Sequence, residues 1–148
     1  MKILIVDDEA AIRDSLDLVL RYERHETLLA EDGPKALAIF DEHADIDLTF
    51  LDIKMPGMDG LEVLGSLVER RADACVVMIS GHGTIETAVE ATRLGAFDFL
   101  EKPLDRDRVL LTVRIARELR RLAGENQTLR GRLADSEARM VGQSPVLE

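Results

Sequence analysis

The sequence predicts an α/β fold: a doubly wound, five-stranded parallel sheet in the order 2-1-3-4-5, with an extended C-terminal helix. Three observations carry that prediction. Five short apolar runs alternate with five stretches of helical spacing, the pattern of successive βαβ units. The runs are near-continuously apolar, which marks strands buried on both faces. At 148 residues and 46% hydrophobic content, the chain is long enough for a core that needs no disulfide. Right-handed crossovers leave few topologies, and 2-1-3-4-5 is the common small one.

Ile3-Leu4-Ile5-Val6 reads as the first strand, and Ala11, Ile12, Ser15, Leu16, Val19 and Leu20 follow at helical spacing. Thr27-Leu28-Leu29-Ala30 is the second strand. Gly33-Pro34 opens the next helix, with proline at the first helical position, where its missing N–H costs nothing. Leu48-Thr49-Phe50-Leu51 is the third strand. Residues 56–60 form a loop in which Asp59 caps the helix starting near Gly60. Cys75-Val76-Val77-Met78-Ile79 is the fourth strand, with Cys75 expected in the buried core. Thr84 caps the following helix, with Thr87 at the capping-box position. Phe97-Asp98-Phe99-Leu100 is the fifth strand, and Asp105 starts the last helix.

Composition excludes several classes. One cysteine permits neither an intramolecular disulfide nor a multi-cysteine metal cluster. No apolar run reaches the ~18 to 20 residues of a membrane span, and no secretory signal is visible, so a cytoplasmic location is expected. The net charge of −10 argues against nucleic-acid binding through this body, because phosphate contacts need Lys and Arg. The charge is uneven: residues 1–105 carry 10 basic and 23 acidic groups, net −13, and residues 106–148 carry 9 and 6, net +3, all nine being arginines.

In such a sheet the site lies beyond the carboxyl ends of the strands. Strand one ends in Asp7-Asp8, strand three in Asp52, strand four in Ser80 and strand five in Glu101-Lys102. Three carboxylates a few ångströms apart do not all stay ionised without a cation. Either one acid is protonated and the others act as caps, or a hard divalent ion joins them; magnesium takes one or two carboxylates and keeps room for a phosphoryl oxygen. A carboxylate placed like Asp52 can act as a nucleophile and form an aspartyl phosphate. Lys102 can supply a point charge to one phosphoryl oxygen, and the Ser80 hydroxyl can donate to another. The plainer alternatives are a surface ion pair for Lys102 and an ordinary strand-end hydroxyl for Ser80.

Val6-Asp7-Asp8-Glu9, Leu51-Asp52-Ile53-Lys54-Met55-Pro56-Gly57-Met58-Asp59-Gly60, Ile79-Ser80-Gly81 and Gly95-Ala96-Phe97-Asp98-Phe99-Leu100-Glu101-Lys102-Pro103 resemble the receiver domain of two-component response regulators over residues 1–121. The resemblance implies that Asp52 is the phosphoacceptor for a histidine kinase. It implies that Asp7 and Asp8 bind Mg²⁺ with Asp52 and the backbone carbonyl of Lys54, and that Ser80 is the switch hydroxyl. It also implies that Lys102 contacts the phosphoryl group ahead of a cis bond to Pro103. Phe99 stands at the family's aromatic switch position; as phenylalanine it can switch only by ring packing, and otherwise it is a core aromatic. The module is then a switch rather than an enzyme of general turnover. Two rivals stay open: an aspartate-nucleophile phosphohydrolase, and a phosphate-independent interaction module.

Beyond the last strand a heptad can be laid out. Leu119, Asn126 and Leu133 take a positions, with Ile115, Leu122 and Leu129 at d, and an asparagine at one a position specifies register. Glu125 then faces Arg130 and Arg132 faces Glu137 across a homodimer; the alternative is a helix packed on its own domain. Residues 122–140 are read as a helical coiled-coil linker. Residues 141–148 resemble the opening of the AAA+ domain of sigma-54-dependent activators, and Ser80–Val89 together with Phe97–Pro103 most resemble the NtrX branch of the NtrC group. Sigma-54 RNA polymerase and DNA would then be met only through domains outside this chain.

Overall fold

A computed structural model describes the backbone of residues 1–81 and 83–137 and the side chains as far as residue 123, His82 excepted. Five strands and five helices alternate: β1 (Lys2–Val6), α1 (Ala10–Tyr22), β2 (Glu26–Ala30), α2 (Gly33–Glu42), β3 (Leu48–Asp52), α3 (Gly60–Arg70), β4 (Val76–Ser80), α4 (Ile85–Arg93), β5 (Asp98–Glu101) and α5 (Arg106–Glu137). The strands form one parallel sheet in the order β2-β1-β3-β4-β5, as expected. Pairing is in register along each ladder, with Val6 opposite Ala30 and Leu51, Asp52 opposite Ile79, and Ser80 opposite Glu101. All the pairs are parallel, so every strand delivers its last residue to the same rim.

The two central strands explain the apolar runs. Every residue of β3 and of β4 is buried, because helices cover both faces. One cluster gathers Leu4, Val6, Phe40, Leu51, Val63, Leu64, Leu67 and Met78 among its buried members. At the edge the pattern relaxes, and β2 exposes Glu26 and Leu29.

Helix starts follow the capping chemistry of the sequence. Asp32 accepts from Lys35 N at 2.9 Å. Asp59 accepts from Leu61 N and Glu62 N, while Glu62 Oε1 accepts from Asp59 N, a complete capping box. Thr84 accepts from Thr87 N, and Asp105 from Arg108 N. Glu9 at the start of α1 is the exception among the described caps: its side chain makes no cap hydrogen bond.

Cys75 departs from expectation. It lies one residue before β4 and is only half-buried; the apolar run begins a residue before the ladder does. Met1–Arg114 forms one compact unit and a second begins at Ile115. In the second, Ile115, Leu119 and Leu122 are exposed and Glu118 pairs with Arg121. The side chains of the heptad past Leu122 and the tail resemblance at residues 141–148 lie outside what is described. No helix among the described residues is long and apolar enough to cross a membrane.

Candidate functional site

Apolar β1 can hold its last residue inside the fold, so Asp7, immediately after Val6, starts the loop fully buried. Its backbone N–H donates to Ala30 O at 3.2 Å, continuing the ladder for one step. Asp8, the next residue, is exposed. Asp52 closes β3 and is 3% exposed. Potential ligand oxygens of Asp7, Asp8 and Asp52 all lie within 4.8 Å of one another, the one such cluster among the described residues.

Lys102 follows β5, and its N–H donates to Ser80 O at 2.8 Å. Its ammonium reaches across the rim to Glu9 Oε1 at 2.9 Å, Asp7 Oδ2 at 3.2 Å and Asp52 Oδ1 at 3.6 Å. The Lys102–Pro103 peptide is cis, as expected. Ser80 ends β4 and is buried. Phe99 in β5 is half-buried against the core cluster, beside Ser80 and Gly83. Lys54 lies two residues past Asp52 in the β3–α3 loop, with its side chain exposed. Asp7, Asp8, Asp52, Ser80 and Lys102 therefore converge on one rim, with Phe99 at its edge.

Electrostatics mark this rim as strained. Burial, and then the charge of Asp7, push the Asp52 carboxyl up to about 7; Lys102 pulls the other way without cancelling them. Asp7 is also raised, chiefly by burial, against the hydrogen bond from Glu9 N. Burial pulls the Lys102 ammonium down, but Glu9, Asp52 and Asp7 outweigh it and hold it above its ordinary value. Asp7 Oδ1 accepts from Glu9 N at 2.8 Å. Asp7 Oδ2 is buried with no hydrogen-bond partner; Lys102 stands at ion-pair distance but without hydrogen-bond geometry. An orphaned carboxylate oxygen facing two other acids fits a hard divalent cation, which needs oxygen ligands and supplies the missing charge.

Two glycines fix the surroundings, and sequence spacing shows neither role. A Cβ on Gly60 would sit 2.6 Å from Ile53 Cα and closer still to Asp52 O. The start of α3 thus rests on the backbone of the Asp52 strand end, and Gly60 N donates to Ile53 O at 2.7 Å. A Cβ on Gly83 would meet the Phe99 ring at 2.7 and 2.8 Å and Ser80 Oγ at 3.4 Å. Sequence reasoning also misses Glu9 as a partner of Lys102; its place after the acidic pair gives no sign of where its side chain turns.

A parallel sheet in this order, with three acids and a lysine gathered at its strand ends, defines a regulatory receiver module. The chain belongs to the response regulator receiver domain family, which matches residues 3–114. Among curated relatives it is 39% identical to the C4-dicarboxylate transport transcriptional regulatory protein DctD of Pseudomonas aeruginosa, over 97% of this chain and 31% of that protein. It is 41% identical to the nitrogen assimilation regulatory protein NtrX of Azorhizobium caulinodans, over 99% of this chain and 32% of that protein. The crystal structure of the receiver domain of NtrX from Brucella abortus matches at TM-score 0.74 and 48% identity, covering 78% of this chain and 98% of that one. The chain therefore is a receiver of the NtrX and DctD type, spanning about a third of the length of the curated relatives.

Proposed function

We propose that Asp52 accepts a phosphoryl group from a phosphohistidine of a histidine kinase, and that Ser80 and Phe99 pass the change to the face built by α4 and α5. An Asp52 oxygen forms the new P–O bond as the donor's P–N bond breaks, and the departing imidazole takes a proton from solvent. Asp52 must be ionised to attack. Held near 7 by its burial, it is only partly so at neutral pH, and Lys102 at 3.6 Å favours the charged form. Asp7, Asp8 and Asp52, with the backbone carbonyl of Lys54, are the residues that would hold Mg²⁺. When bound, the ion supplies the positive charge that keeps the acids ionised and offsets charge on the transferring oxygens. Lys102 then serves as the point charge for one phosphoryl oxygen. The Ser80 hydroxyl donates to another, and the Phe99 ring repacks into the space beside it.

The role is a switch that modifies itself rather than one that turns over a substrate. The output, met through regions beyond this chain, would be transcription activation with sigma-54 RNA polymerase in the cytoplasm, governed by a homodimer of α5 and the residues after it. A switch of this kind needs only a few kcal/mol between its states.

The observation that carries this reading is the buried Asp7–Asp52 pair with Asp8 beside it and one ammonium between them. The test is labelling with acetyl phosphate, read by intact mass. One phosphoryl group is expected with Mg²⁺, and none with chelator or in Asp52→Asn. Equal labelling of Asp52→Asn would overturn the assignment.

A further inference from the structure

Three carboxylates surround Lys102, and one of them does not belong to the cation cluster. Asp7 and Asp52 are buried members of it. Glu9 is outside it, is largely exposed, and yet makes the shortest contact, at 2.9 Å. Its position is otherwise that of a helix cap. Glu9 is the N-cap residue of α1, where Ser, Thr, Asp or Asn satisfy the free N–H groups and glutamate does not. Its backbone carbonyl accepts from Ile12 N and Arg13 N, but its side chain makes no cap bond. The longer side chain reaches over the rim to the lysine instead.

Resting on the phosphoacceptor reading of Asp52, we infer that Glu9 is a positioning residue for that phosphorylation: it holds the Lys102 ammonium at the mouth of the site and yields it when the phosphoryl group arrives. The geometry suits a latch. Lys102 is mostly buried and keeps Asp7 and Asp52 within ion-pair reach when Glu9 lets go. Glu9 can swing into water without uncovering anything, so releasing it is cheap, as for any exposed ion pair. A phosphoryl group on Asp52 brings doubly charged oxygens next to the same ammonium and outcompetes a solvated carboxylate. The hydrogen bond from Lys102 to Glu9 also belongs to the forces that hold the ammonium above its ordinary pKa. Removing Glu9 leaves Lys102 with only the two acids at the phosphorylation site, Asp7 and Asp52.

The test uses the full chain with Mg²⁺ and acetyl phosphate, and compares the rate of mass-detected labelling in Glu9→Gln, Glu9→Asp and a distant charge control, Glu42→Gln. Aspartate keeps the charge at the mouth but is too short for Lys102, and it caps α1 instead. The expected result is that both Glu9 variants label about threefold to fivefold faster, the factor an exposed ion pair carries. Glu42→Gln should keep the wild-type rate. The Nζ resonance of Lys102 should move in both variants. An Asp variant at the wild-type rate beside a faster Gln variant would mean that bulk charge alone acts, and would overturn the latch. So would wild-type rates in both. Absence of label on the wild-type protein itself would instead bring down the phosphoacceptor reading, and the latch with it.

Discussion

Two lysines, one at each end of the sheet, sit among carboxylates, and the outcome differs. At the amino end of the strands Lys2 Nζ lies 3.1 Å from Asp45 and 3.7 Å from Glu26. At the carboxyl end Lys102 Nζ lies 3.2 Å from Asp7 and 3.6 Å from Asp52. The two lysine side chains are equally covered, 15% and 16% exposed. The acids are not: those around Lys2 are 69% and 71% exposed, against 0% and 4% for Asp7 and Asp52. The hydrogen bond from Lys2 lowers the Asp45 carboxyl, whereas burial raises Asp52 to about 7 in spite of Lys102. The ion-pair distances are similar at both ends, although Lys102 has a third acid, the exposed Glu9, at 2.9 Å. Access of water to the acids decides whether the group is an ordinary ion pair or a site that calls for a further cation.

Removing each lysine is the largest test of that contrast. Lys102→Met strands Asp7 and Asp52 together inside the fold, and breaking a buried pair this way costs about 3 to 5 kcal/mol. The loss should be greatest near about pH 8 and shrink as pH falls through about 7, where Asp52 takes up a proton instead. Lys2→Met leaves solvated acids behind and should change the unfolding free energy from urea denaturation by less than about 1 kcal/mol at either pH. Equal losses from the two variants would dissolve the distinction.

Removing the acid reverses the sign at the carboxyl end. Asp52 titrates at about 7 in the fold against 3.8 as a free side chain. The folded state therefore holds the proton more tightly, and its stability declines as pH rises from about 4 to about 7. An amide in place of the carboxyl would not titrate. Asp52→Asn should match the parent below about pH 4 and exceed it above about pH 7 by on the order of 4 kcal/mol, at 1.36 kcal/mol per pKa unit, without divalent ions. Asp45→Asn should gain nothing at any pH. Denaturation followed across this range decides it, and a flat difference for Asp52→Asn would show that its burial is not the cause.

The rim also differs along its own length, and the glycines show it. At Gly60 an added methyl meets the backbone of Asp52 and Ile53, which the ladder to β4 holds in place. At Gly83 it meets a phenylalanine ring that can rotate aside. Gly60→Ala should therefore cost about 3 kcal/mol, the upper range for overpacking. Gly83→Ala should cost under about 1 kcal/mol while turning the Phe99 ring outward, seen as lost cross-peaks between the residue 83 backbone and the ring. The acid-bearing side of the rim is rigid. On the Ser80–Phe99 side the close contact is with a half-buried ring rather than with backbone.

Much of this is legible in the chain. An apolar run that stops at an acid, as at Val6-Asp7 and Leu51-Asp52, states both the strand and where its end delivers a carboxylate. Parallel pairing then brings those ends together with Ser80 and Lys102. Asp59 and Thr84 announce their caps by type and spacing. What stays hidden depends on separations that no local pattern carries. Gly60 and Gly83 read as ordinary loop glycines until a backbone and a ring are seen against them. Glu9 reads as the next residue in an acidic run, because the direction of its side chain is set by a lysine 93 positions away. Cys75 falls one residue outside its expected strand because an apolar run marks burial more sharply than it marks the first ladder bond.

The smallest effect is the most diagnostic, because it asks what the strained end is for. A divalent ion binding only the folded state stabilises it by RT ln(1 + [L]/Kd), about 1.4 kcal/mol at ten times Kd. At the carboxyl end the ion must displace the proton that burial holds on Asp52, and burial raises Asp7 as well. The rise in Tm with Mg²⁺ should therefore be clear near about pH 8 and fade below about pH 6. It should survive Asp45→Asn and vanish in Asp7→Asn. In Lys102→Met it should grow, since the ion then replaces the lost ammonium. A rise that ignores pH and persists in Asp7→Asn would place the ion on the solvated acids around Lys2, and the buried Asp7–Asp52 pair would then be an electrostatic burden with no ligand to relieve it.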